Sequence, residues 1–177
     1  MKKKAPKQRV METAKQLFQK QGFNSTGINQ IIKESGVAKA SFYDHFPSKN
    51  DLALEYLNQR HLSWFEGLKS FIEKEASPTE KIIQSFEYLK YMNEKEDFSG
   101  CVFLNMLAEL KPENTKAHTI IKNHKTDLQN FFKEIIQEEG KAFLIYMLFE
   151  SCLVESQVYQ SQNQIDKTIQ IIQNSIL

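Results

Sequence analysis

Thr26-Gly-Ile-Asn-Gln-Ile-Ile-Lys-Glu-Ser-Gly-Val-Ala-Lys-Ala-Ser-Phe-Tyr-Asp-His-Phe-Pro-Ser-Lys49 is the most informative stretch of this 177-residue chain. Thr26 is a plausible N-cap for a short helix whose inner face is Ile28, Ile31 and Ile32. Gly36 supplies a turn and Val37 plugs the core beneath it. A second short helix is expected over about 38–44, with Phe42 inward, until Pro47 stops it. Two short helices at this spacing form a helix-turn-helix, whose second helix offers its N-terminal residues to a DNA major groove.

Working outward, a preceding helix is expected over 6–21. Its stripe of Val10, Ala14, Leu17 and Phe18 follows helical spacing, and Gly22 ends it. Downstream, Ser48 can cap a long helix over 49–75 through Leu52, Tyr56, Leu57, Trp64, Leu68 and Phe71. Ser77-Pro78 opens a helix to about 93, since Pro suits the first helical position. Gly100 and Pro112 bracket a short helix at 101–110, and another runs 113–138 to a stop at Gly140. An apolar helix at 141–160 and a last one at 164–176 complete the chain. No alternating strand pattern appears. The expected fold is all-α, with about nine helices. A three-helix head, 1–46, is joined by a long helix to an all-helical body, 47–177.

The net charge of +1 conceals an asymmetry. Residues 1–50 hold ten Lys or Arg against three Asp or Glu, so +7; the remainder holds thirteen against nineteen, so −6. A basic head on an acidic body implies that the head alone meets a polyanion. Cys101 and Cys152 are too far apart for a zinc pair and too few for a secreted disulfide framework. The longest apolar run, Ala142–Phe149, is far short of a membrane span, and no signal-like segment is evident. These features lead to the expectation of a cytoplasmic protein without cofactor or metal.

In the head, Lys39, Ala40, Ser41 and Tyr43 lie near the start of the second short helix, the end that enters a groove. Lys39 suits guanine acceptors, Ser41 donates or accepts, and Ala40 suits a thymine methyl. Tyr43, His45 and Lys49 are placed to grip phosphates, and Thr26 to touch the backbone from a helix start. Lys2, Lys3, Lys4 and Lys7 form a basic arm.

With these letters in place, the head resembles that of TetR-family (tetracycline-repressor-like) transcriptional regulators. The resemblance rests on Ala14…Leu17-Phe18…Gly22-Phe23, Thr26, Ile31, Gly36-Val37, Ser41-Phe42-Tyr43, His45-Phe46, Ser48-Lys49 and Leu52. It covers about residues 8–55. It implies a divergent helical body that binds a small molecule and dimerises through its last two helices. Gly100-Cys101…Asn105…Glu109 also resembles the start of the sixth helix in a subset of the family. Three positions depart from the pattern. Ala38 replaces a frequent Ser or Thr cap, Asp44 stands where a neutral or aromatic residue is usual, and Ile32 takes the place of a small residue at the helix crossing.

The body offers two candidate surfaces. Helix 141–160 is apolar on most sides and must be buried on most sides. Phe143, Tyr146, Met147, Glu150 and Val154, with Ile165, Ile169, Ile172 and Ile176 of the last helix, are expected to pair with their copies as a four-helix homodimer interface. A pocket for an apolar or aromatic effector is expected among Trp64, Phe65, Tyr88, Tyr91, Met92, Phe103, Asn105, Met106 and Phe131. Glu109, Glu150 and Glu155 lean its preference toward a neutral or cationic ligand.

The resulting expectation is a dimeric, ligand-responsive regulator, a repressor released from a palindromic DNA operator by a small molecule. The alternative is a DNA-binding protein without an effector, showing a steep salt dependence. An enzyme is disfavoured. His45, His61, His118 and His124 are scattered, and no nucleophile, phosphate-loop or metal motif is found.

Overall fold

Each helix begins or ends where local chemistry requires it. In the computed structural model, which describes residues 4–111 and 113–176, the order is α1 Pro6–Gln21, α2 Ile28–Ser35, α3 Lys39–His45, α4 Lys49–Ile72, α5 Pro78–Lys95, α6 Val102–Glu109, α7 Thr115–Ile135, α8 Glu139–Tyr159 and α9 Asn163–Ile171. A π-helical turn, Ile172–Ile176, follows, and the described residues contain no strand. Lys2, Lys3 and Pro112, and the side chain of Ile176, lie outside the described residues.

Side-chain caps mark some of these starts. Ser77 forms a capping box with Glu80: its hydroxyl accepts from the Glu80 amide while the Glu80 carboxylate accepts from the Ser77 amide. Ser48 accepts from the Asp51 amide at 3.1 Å and starts α4. Gly140 was expected to end α7, but α7 closes at Ile135 and Gly140 falls in the first turn of α8. The first turn of a helix has no intrahelical partner for its N–H groups, so a glycine costs less there than in mid-helix.

The chain forms two compact units. One joins the described residues up to His61 with Val102–Ile121; the other joins Leu62–Cys101 with Lys122 onward. In the first, Val10, Ala14, Leu17 and Phe18 of α1 meet Ile31, Val37, Phe42 and Phe46, all buried. Ile28 and Ile32 are only half-buried, so α2 presents a narrower apolar edge than expected. In the second, Trp64, Leu68, Ile82, Phe86, Phe132 and Phe149 share one core with Ile165, Ile169 and Ile172.

That core revises the reading of the last two helices. Ile165, Ile169, Ile172 and Tyr146 are at most 8% exposed within a single chain, so their own body already covers them. The bare apolar residues include Phe143, Leu144, Met147, Val154, Val158 and Tyr159 of α8, with Ile171 of α9. Thus α8 is apolar on both sides, one covered by its own chain and one open.

Glu150 faces inward and pairs with Lys125 at 2.6 Å, each side chain about one-sixth exposed (16% and 15%). Lys125 Nζ also donates to Cys101 Sγ at 3.5 Å. Burial opposes charge on Lys125, but the neighbouring Cys101 and Glu150 outweigh it and raise its pKa. A raised lysine pKa stabilises the fold below its ordinary value and loses that contribution only in alkali, so the pair holds throughout neutral pH. Removing one partner strands a buried charge. Glu150→Ala should lower the unfolding free energy by about 3 kcal/mol in urea titration, and a paired Glu150→Leu/Lys125→Met variant should lose less.

Candidate nucleic-acid interface

Two turns flank α2, and each is held by a cation donating to backbone carbonyls. At the α2–α3 turn, Gly36 adopts φ 61°, ψ 32°, a left-handed conformation that glycine enters without steric cost. Arg9 of α1 reaches across to it, and its Nη1 donates to the Ser35 carbonyl at 2.9 Å and the Gly36 carbonyl at 3.0 Å. These acceptors lie at the negative end of the α2 dipole, where a guanidinium is favoured. Val37 is buried beneath the turn.

At the α1–α2 turn the brace is Lys49. Its Nζ donates to Phe23 O at 2.8 Å and Thr26 O at 2.9 Å, and sits 4.2 Å from the centroid of the Phe23 ring. Burial lowers the Lys49 pKa, and the Glu109 charge offsets part of that. The expectation that Lys49 grips phosphate is therefore revised: two of its three N–H donors are engaged inside the protein. Thr26 is revised too. It is fully buried and its hydroxyl donates to Gly22 O at 2.7 Å, while Gly27 takes the N-cap position of α2 with no side-chain cap. The Thr26 hydroxyl closes a turn and is not offered to an outside partner.

Beyond the α2–α3 turn, α3 is fixed by Phe42, which is fully buried, and Phe46, which is 2% exposed. That anchorage turns the opposite side outward. Lys39, Ala40, Tyr43, Asp44 and His45 are exposed and Ser41 is half-buried. The Tyr43 ring, 41% exposed, leans edge-on against Phe42 at 5.3 Å. His45 leans on Phe46 at 6.4 Å. Ala38 precedes α3 without a side-chain cap, as its lack of a hydroxyl requires.

Of the expected basic arm, Lys4 and Lys7 lie within the described residues. α1 starts at Pro6, so Lys7 is helical; it pairs with Glu55 at 3.0 Å and holds that carboxyl below its usual pKa range by hydrogen bonding. Lys4 pairs with Glu12 at 2.7 Å. Sequence reasoning missed Arg9, because its carbonyl partners are 26 and 27 residues away and nothing local marks it.

In the body unit, Trp64, Phe65, Tyr88, Met92 and Phe131 are buried, with Trp64 edge-on to Phe65, Tyr88 and His124 at 5.1–5.7 Å. His124, 4% exposed, is a polar group in this aromatic nest that sequence reasoning did not place there. Tyr91 is 45% exposed, under Lys95. Phe103 and Met106, both buried, and the exposed Asn105 belong to the other unit.

A braced helix-turn-helix with one outward helix face, followed by an all-helical body, defines a class of DNA-binding head. Residues 10–56 match the family model described as bacterial regulatory proteins, tetR family. The regulator LmrA of Bacillus subtilis is 50% identical over 54 residues, 30% of this chain and 29% of its own length. YxaF of the same organism is 36% identical over 77 residues, covering 43% and 40%. The chain thus spans less than half of these curated relatives. A solved TetR-type regulator from Streptomyces avermitilis superposes with a TM-score of 0.82 at 24% identity, covering 98% of both chains. The head, residues 10–56, thus matches the tetR family of bacterial regulatory proteins, and the chain as a whole shares the fold of the solved TetR-type regulator.

The two lysines should separate by experiment. Lys49→Met removes two charge-assisted hydrogen bonds in a partly exposed setting and should cost about 1 kcal/mol of stability in chemical denaturation. Lys39→Met, at an exposed position, should stay within about 0.5 kcal/mol of wild type.

Proposed function

We propose that the chain is a homodimeric, ligand-responsive DNA-binding regulator acting as a repressor. The observation that carries this is the outward face of α3: Lys39, Ala40, Tyr43 and His45 exposed on a helix fixed from behind by Phe42. Lys39, Ala40 and Ser41 are assigned to base edges and Tyr43 and His45 to phosphates, within a stretch, residues 1–50, of net charge +7. Thr26 and Lys49 act at one remove, holding the turn that leads into α2.

One such helix fills one major-groove site, and a twofold pair reads a palindrome. The bare side of α8, with Phe143, Leu144, Met147, Val154 and Val158, is proposed to meet its copy together with Ile171 of α9. An apolar patch of this kind is costly to leave in water and favours a partner.

The effector is proposed to be a neutral or cationic apolar molecule lodged against Trp64, Phe65, Tyr88, Met92 and Phe131, with His124 as the polar contact. Glu150 is neutralised by Lys125, so it adds little to a cationic preference. α4 runs without a break from Lys49, at the head, to Ile72, beside this nest. A ligand that binds one setting of α4 better than another shifts the population of heads able to bind, to the extent of its differential affinity.

Lys39→Ala/Tyr43→Ala should weaken binding to a selected duplex by about 2–4 kcal/mol while leaving helicity unchanged, measured by fluorescence anisotropy and circular dichroism. Unchanged affinity would remove α3 as the reading helix. Met147→Asp should convert a dimer to a monomer in sedimentation equilibrium; an unchanged mass would remove the α8 interface.

A further inference from the structure

We propose that Glu109, at the end of α6, is a positioning residue for DNA binding: its carboxylate straps the α1–α2 turn of the head and so sets the start of α2. This rests on the DNA-binding reading above. Four observations meet at one place. The Glu109 carboxylate accepts from the Asn24 amide N–H, and the Asn24 side-chain amide donates to the Glu109 carbonyl at 3.0 Å. Gly22 holds φ 85°, and a Cβ there would lie 2.6 Å from Glu109 Oε1, so the carboxylate occupies the space that the glycine leaves open. The Glu109 charge also acts on Lys49, the cation that ties Phe23 and Thr26 to α4.

The contact is made by paired hydrogen bonds between Asn24 and Glu109. Beside it lies a cavity of about 430 Å³, bordered by Phe23, Asn24, Asn50, Glu109, Leu110 and Asn114. With open space on that side, the paired hydrogen bonds and the charge set the spacing between the end of α6 and the turn. A residue 85 positions from Asn24 thereby contributes to the same turn as Thr26 and Lys49. Any change at the end of α6 reaches the frame of the helix-turn-helix through these atoms, without passing along α4.

The test compares the full-length wild type with Glu109→Ala, Glu109→Gln and Asn24→Ala. Anisotropy is measured with a duplex recovered by selection from a random-sequence pool, and hydrogen exchange and thermal melting are measured on the same samples. Glu109→Ala should weaken binding about tenfold and speed exchange of the Asn24 and Thr26 amides, while exchange in α5 stays at the wild-type rate. Glu109→Gln, whose amide oxygen still accepts from Asn24, should recover both readouts to within about threefold of wild type. Wild-type binding by Glu109→Ala overturns the proposal, as does an equal loss in Glu109→Gln. If Glu109→Ala does not fold, Asn24→Ala decides: faster exchange confined to the turn supports the strap, and unchanged exchange overturns it. A wild type that binds no duplex defeats the DNA-binding reading instead, and the exchange comparison still decides whether Glu109 fixes the turn.

Discussion

Two cations donating to turn carbonyls hold the head in its working form. Arg9 closes the α2–α3 turn and Lys49 closes the α1–α2 turn. Turn carbonyls are strong acceptors, and the protein meets these with its own cationic side chains. The gain is positional. α3 has only seven residues and no side-chain cap, so it would be marginal alone. It is ordered because Phe42 is sealed in the core and the turns on either side of α2 are pinned. Once those constraints are met, the outward direction of Lys39, Ala40 and Tyr43 follows.

The charge pattern takes on a more exact meaning in this light. The head is strongly basic, yet several of its cations have internal duties. Lys4 and Lys7 pair with Glu12 and Glu55, and Arg9 and Lys49 serve carbonyls. The charge still contributes a long-range field that favours a polyanion. The residues proposed for contact are fewer than the count of basic side chains implies, and they cluster on one short helix.

The sequence carried the local rules well. Gly36, Phe42 and Pro47 fix the helix-turn-helix because each acts within a few residues: a left-handed turn, a buried ring, a helix stop. The Ser48 cap and the Pro78 start are legible for the same reason. Thr26, Lys49 and Arg9 were not. A threonine before a helix is ordinarily a cap, and only the fold reveals that this hydroxyl turns back to Gly22. Lys49 and Arg9 have acceptors more than twenty residues away. The last two helices show a different limit. Periodicity marks an apolar side as covered, but not whether the same chain or another one covers it. Ile165, Ile169 and Ile172 are covered within the chain, whereas Phe143, Met147 and Val154 remain bare.

The central claim is that the pinned turns present α3 to DNA. An amide chemical-shift map of the isotope-labelled protein, titrated with its selected duplex at physiological salt, tests it directly. The largest shifts are expected at Lys39–His45, with little change in the buried body core around Phe86 and Phe149. Shifts centred elsewhere, with the α3 amides unmoved at saturation, would contradict it.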